Sequence, residues 1–73
     1  MPKEFNPKAF GDRILARMQT DGLSYRSLSV ITGLDSAIIY RVANAKQEPK
    51  IETFLKIVRW LHSQHKTTNG DDG

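Results

Sequence analysis

One glycine constrains this chain more than any other residue. Gly33 separates two short apolar-periodic segments in the stretch YRSLSVITGLDSAIIYRVANAK, which runs from Tyr25 to Lys46. Glycine enters the left-handed backbone region at little cost, so the chain can reverse there without a longer loop. Two helices joined by so tight a turn must cross steeply and touch closely. Ser29 supplies a small side chain at the contact. Leu28 and Ile31 form the inward pair of the first helix; Ile39 and Val42, one turn apart, form that of the second, with Leu34 leading in. Ser24 and Asp35 are good N-caps. The spacing therefore predicts helices over about 24–32 and 35–45. Counting Tyr25 as first, Ser29, Gly33 and Ile39 fall fifth, ninth and fifteenth, which is the helix-turn-helix signal.

Two further helices flank this pair. In NPKAFGDRILARMQT, Asn6 caps a helix over about 7–20 and Pro7 stands at its first position, where a missing N–H costs nothing. Phe5 and Phe10 occupy the positions of a hydrophobic staple. Phe10, Ile14, Leu15 and Met18 make an apolar stripe, and Asp21 with Gly22 ends it. A fourth helix is predicted over about 51–65, its buried arc formed by Ile51, Phe54, Leu55, Val58 and Leu61. Trp60 falls outside that arc, on the side of Lys56. The polar, glycine-rich 66–73 has nothing to bury and is expected to be a disordered tail after a single domain spanning 1–65. The expected fold class is all-α.

Size and charge narrow the function. A domain of 73 residues hides only about 60% of its unfolded surface, which leaves little room for a deep catalytic cleft. The chain has no cysteine, so thiolate metal sites and disulfides are excluded. His62 and His65 lie three apart, but a metal site needs more ligands; no metal and no cofactor is expected. No serine can be assigned a base and an orienting acid, so no enzyme activity and no small-molecule substrate are expected. Lys and Arg number 11 against 8 Asp and Glu, a net charge of +3. Without 66–73, which carry one Lys and two Asp, the balance rises to +4. That mild basicity permits nucleic-acid binding. No apolar run approaches a membrane span of about 20 residues, and no leader-like apolar block opens the chain, so a cytoplasmic protein is expected.

From Gly11 to Leu61 the chain resembles the Cro/C1-type (XRE-like) helix-turn-helix family of small phage and bacterial transcription regulators. Gly22-Leu23-Ser24, Leu28, Gly33, Ile39, the turn from Asn44 to Lys46, Pro49 and the Phe54, Leu55, Leu61 set occupy the family's places without gaps. The resemblance implies a compact four-helix domain of the phage repressor type, here without the usual fifth helix. It also implies that the third helix enters the major groove of double-stranded DNA, usually as a dimer on paired half-sites. Position by position, it makes Ser36, Ala37, Tyr40 and Arg41 the base-contacting candidates, and Tyr25, Arg26, Asn44 and Lys46 the phosphate-contacting ones. Helical geometry agrees in part: with Ile39 and Val42 inward, 100° steps put Ala37, Tyr40, Arg41 and Asn44 on the opposite face. A homodimer would form through helix four and the C-terminal region. Lys3 and Lys8 could form a basic arm reaching the DNA backbone.

Several places depart from the family's pattern. Tyr25 stands where Gln is common. The first turn of helix three, DSAI, offers no Gln, Asn or Arg for bidentate base contacts, each worth about 1–3 kcal/mol of discrimination. Met18 and Ala43 stand where the family often pairs Arg with Glu, and apolar packing in place of a buried ion pair is often neutral or stabilising. Arg13, Arg17 and Arg59 read as solvated charges. These departures, with the off-arc Trp60, sustain an alternative: a helix-turn-helix scaffold that regulates transcription by gripping a protein. Such a chain could be a phage-encoded factor acting on host RNA polymerase, as inhibitor or antiterminator, or an antitoxin-like module. Its candidate interface is Trp60, Phe5 and Lys56.

Overall fold

The computed structural model describes residues 5–63. The expected tail over 66–73, His65 and Lys3 lie outside them. The fold is all-α, with α1 Pro7–Asp21, α2 Tyr25–Thr32, α3 Ser36–Ala43 and α4 Ile51–Leu61. No strand occurs among the described residues, and none of their helices is long and apolar enough to cross a membrane.

Local chemistry sets most boundaries. The Asn6 carboxamide oxygen accepts from the Ala9 N–H at 3.1 Å, Ser24 Oγ from Ser27 at 3.1 Å, and Asp35 Oδ1 from Ala37 at 2.8 Å. Each satisfies a backbone donor that has no partner inside its own helix. Gly22 and Gly33 close α1 and α2 in the left-handed region, with φ of 67° and 76°. After α3 the same work falls to Ala45, at φ 56°. Its N–H donates to Val42 O at 3.1 Å, and Lys46 N–H to Arg41 O at 2.7 Å. α3 is shorter than the predicted 35–45 because Asp35 and Asn44 are caps rather than helical residues. α4 ends at Leu61, with His62 as C-cap, four residues before the predicted end.

The core draws on all four helices: Phe10, Ile14 and Met18 of α1, Leu28 of α2, Ile39, Val42 and Ala43 of α3, and Ile57 and Trp60 of α4, with Leu34 from the turn. Phe5 extends the expected staple to α4. Its ring lies 5.4 Å from Phe10 and 5.8 Å from Phe54, and Phe10 and Phe54 are 5.2 Å apart. Met18 and Ala43 are both buried, so no charge is stranded where the family's ion pair would stand.

The close approach of α1 and α3 rests on Gly11. This buried mid-helix glycine faces the end of α3, and a Cβ placed on it would lie 2.4 Å from the Ala43 carbonyl oxygen. A side chain there would collide with rigid backbone, so α1 accepts the propensity cost of a helical glycine to let α3 approach.

Three expectations about burial are corrected. Trp60 is only 4% exposed and belongs to the core. Ile31, expected to point inward with Leu28, is 52% exposed, whereas Leu28 is fully buried. On α4 the buried residues are Thr53, Ile57 and Trp60, while Ile51 and Leu55 are 60% and 51% exposed. Apolar residues cover most of α4's circumference, so periodicity alone could not choose the inner face. Packing chooses it: Phe54 meets α1 on one flank, and Trp60 faces α2 on the other.

Arg17 is also not a solvated charge. Its guanidinium donates to Asp21 Oδ2 at 2.8 Å, to Leu61 O at 2.9 Å and to Ser63 O at 3.1 Å, and its Cζ sits 5.6 Å from the centre of the Trp60 ring. A cation at the carboxyl end of α4 complements both the unsatisfied carbonyls and the helix dipole. It thereby ties α1 to α4 over the indole. Among the described residues, Trp60 Nε1 is the one buried side-chain polar atom without a hydrogen-bond partner.

Two substitutions test the backbone argument in opposite directions. Gly11→Ala gains helix propensity yet is expected to destabilise the fold by about 1–3 kcal/mol, because α3 must move. Chemical denaturation measures it, and an unchanged or raised midpoint refutes the close contact. Ala45→Gly relieves a left-handed alanine and is expected to stabilise by up to about 1 kcal/mol in the same assay.

Candidate nucleic-acid interface

The surface that the sequence singled out is built by the α2–α3 turn. Gly33 N–H donates to Ser29 O at 2.8 Å. The Ser29 hydroxyl donates to Leu34 O, and Thr32 Oγ1 donates to Leu28 O at 2.8 Å while accepting from Leu34 N–H at 3.3 Å. The turn is therefore held at both sides, and Leu34 is drawn into the core. With Ile39 and Val42 buried beneath it, α3 turns its other face to solvent. Ser36, Ala37, Tyr40 and Arg41 are all exposed.

The phosphate-contacting candidates divide into two groups. Arg26 and Lys46 are exposed. The ion pairs within the described residues are Lys8–Asp12 and Arg17–Asp21, so neither cation is neutralised by one of those carboxylates. Lys8, a candidate for a basic arm, lies on α1 and faces Asp12 at 3.4 Å.

Tyr25 and Asn44 instead meet each other. Asn44 Nδ2 donates to the Tyr25 hydroxyl oxygen at 3.1 Å and to Tyr40 O at 2.9 Å. The Tyr25 ring lies edge-on to Tyr40, with centroids 5.5 Å apart and planes at 80°. The two donors of the Asn44 amide are thus engaged within the protein, which leaves its oxygen as an acceptor. An acceptor is of no use to a phosphate. In this arrangement the Asn44 amide positions the Tyr25 and Tyr40 side chains. Tyr25 gains what Asn44 gives up: its oxygen accepts from the amide, and its own O–H is left to donate outward.

Asp35 is exposed, and its Oδ1 accepts from the Ala37 N–H at the start of α3. The helix offers one cationic fork (Arg41), one hydroxyl (Ser36), one methyl (Ala37) and one aromatic face (Tyr40).

The other candidate interface does not form one surface. Phe5 lines a cavity of about 370 Å³ between the start of α1 and α4, with Phe10, Arg13 and Phe54 among its walls. Lys56 and Trp60 line a separate groove between α2 and α4. That groove also uses Ile31 and Arg59, which were not singled out in the sequence. Nothing in the periodicity of α2 exposes Ile31, since Leu28 one turn earlier is buried. For Arg17, the one legible signal was Asp21 four residues later, the spacing of a helical ion pair. No three acidic or histidine side chains converge on a metal-sized site among the described residues.

Comparison with protein-family models, with curated proteins and with solved structures finds no match for this chain.

If Asn44 positions the two tyrosines, Asn44→Ala should release them at small cost, about 0.5–1.5 kcal/mol. The Tyr25 and Tyr40 ring protons should then lose their mutual ring-current shifts in the NMR spectrum. Unchanged tyrosine shifts would mean that the rings hold themselves in place without the amide.

Proposed function

We propose that this chain is a small transcription regulator of the helix-turn-helix type that binds double-stranded DNA by seating α3 in the major groove. The observation that carries this reading is the outward face of α3, where Ser36, Ala37, Tyr40 and Arg41 stand exposed on a helix whose inner face is buried. An α-helix with its side chains is about 10–12 Å across, which a major groove about 12 Å wide admits. Arg41 has the geometry to take guanine O6 and N7 together. Ala37 and the Tyr40 ring offer apolar contact to a thymine methyl, and Ser36 can donate or accept. Arg26, Lys46 and the Tyr25 hydroxyl supply phosphate contacts, which position the helix and make binding salt-dependent. Two copies on paired half-sites would meet through α4, where Ile51 and Leu55 are exposed. The place of action is the bacterial cytoplasm, and neither cofactor nor catalysis enters the proposal.

The alternative, a scaffold that grips host RNA polymerase or another protein, loses one of its several motives, since Trp60 is buried. The observation in its favour is the groove above that residue, treated below.

A gel-shift titration against a selected duplex and random duplexes tests the DNA reading. Arg41→Ala should remove about 1–3 kcal/mol of discrimination. Lys46→Ala should weaken every duplex alike and lower the salt slope by about one. Equal loss on all sequences for Arg41→Ala removes it as a reader, and an absence of salt-sensitive binding ends the proposal.

A further inference from the structure

Between the end of α2 and the outer side of α4 runs a groove of about 270 Å³, lined by Ile31, Thr32, Lys56, Arg59, Trp60 and Ser63. Its apolar lining is Ile31 and Trp60. Val30, beside Ile31 in the chain, is 81% exposed. One exposed aliphatic residue is ordinary, but two in succession beside an apolar groove suggest contact with something. Lys56 and Arg59 are exposed, and neither takes part in an ion pair among the described residues. No carboxylate lines the groove; Glu52, one turn before Lys56, lies outside its lining.

We propose that this groove docks an acidic segment of another protein, one carrying a bulky apolar side chain. The apolar group sits over Ile31 against the Trp60 ring, and flanking carboxylates meet Lys56 and Arg59. Charge and shape decide among the possible occupants. A nucleic-acid backbone suits the cations but has nothing to place on the apolar lining. Residues 64–73 follow Ser63 at the groove's edge and include Asp71 and Asp72, yet QHKTTNGDDG holds no apolar side chain to fill it. A second copy pairing groove to groove would set Lys56 and Arg59 against their own kind.

The groove is also separate from the face of α3. From Tyr25 to Ile31 the α2 backbone advances about 9 Å and turns about 240° past a full turn. A protein in the groove and a duplex on α3 therefore need not compete, and the inference stands whether or not α3 reads DNA.

The test uses the full chain and a synthetic helical peptide with leucine and phenylalanine four residues apart among glutamates. Trp60 is the only tryptophan, so its emission and indole N–H resonance report on the groove directly. The expected result is saturable binding, with amide shifts centred on Ile31, Lys56, Arg59 and Trp60. Affinity should fall at least about tenfold for Ile31→Asp and for the double variant Lys56→Glu, Arg59→Glu. Replacing the peptide's leucine and phenylalanine by alanine, or its glutamates by lysine, should cause a comparable loss. If Ile31→Asp perturbs the circular dichroism spectrum, the charge reversals at exposed positions carry the test. No saturable binding, or binding indifferent to these changes, overturns the proposal. So does a loss of duplex affinity in the double variant with peptide binding intact, which would make the groove a DNA-backbone surface.

Discussion

The contact between Gly11 and the backbone of Ala43 governs the rest of the structure. Helix α3 can offer a clean outer face only if its inner face is seated, and eight residues give it little surface with which to seat itself. Ile39 and Val42 supply the apolar anchors. The missing side chain at Gly11 supplies the proximity, and dispersion between packed atoms falls off within about an ångström of added gap. Ala43 suits the same demand, being small and fully enclosed.

The second organising element is the joint of α1, α2 and α4 around Trp60. A large indole with a cation over its ring closes this side of the bundle. Arg17 spans that closure, holding Asp21 on its own helix, the carbonyl of Leu61 at the end of α4 and that of Ser63 just beyond it. A lysine could not reproduce it, since a single ammonium lacks the planar fork that serves three acceptors and stacks at once. The same joint leaves the groove between α2 and α4, whose lining includes Trp60.

Much of the local architecture was legible because it depends on neighbours in the chain. Asn6, Ser24 and Asp35 cap the helices they were expected to cap, and Gly22 and Gly33 take the left-handed turns. Phe5 and Phe10 meet as a staple. The core positions of α1 and α3 followed from helical spacing, as did the exposure of Ala37, Tyr40, Arg41 and Asn44. The failures share a cause. Ile31, Ile51, Leu55 and Trp60 lie on helices with apolar side chains around much of their circumference, where spacing does not specify a single inner face. Arg17 was misjudged because its carbonyl acceptors lie 44 and 46 residues away in the chain, and the contact of Asn44 with Tyr25, 19 residues away, was illegible for the same reason.

The sequence by itself determined four helices, their caps and the sharp turn at Gly33, because backbone conformation and capping are settled within a few residues. Only the tertiary structure decided which flank of α4 is buried, that Arg17 clasps its end, and that the Asn44 amide bonds to the Tyr25 hydroxyl and the Tyr40 carbonyl. Those outcomes depend on which surfaces of separate helices come within van der Waals or hydrogen-bond reach. That distance is set by the packing of the whole core, beginning with one absent side chain at Gly11.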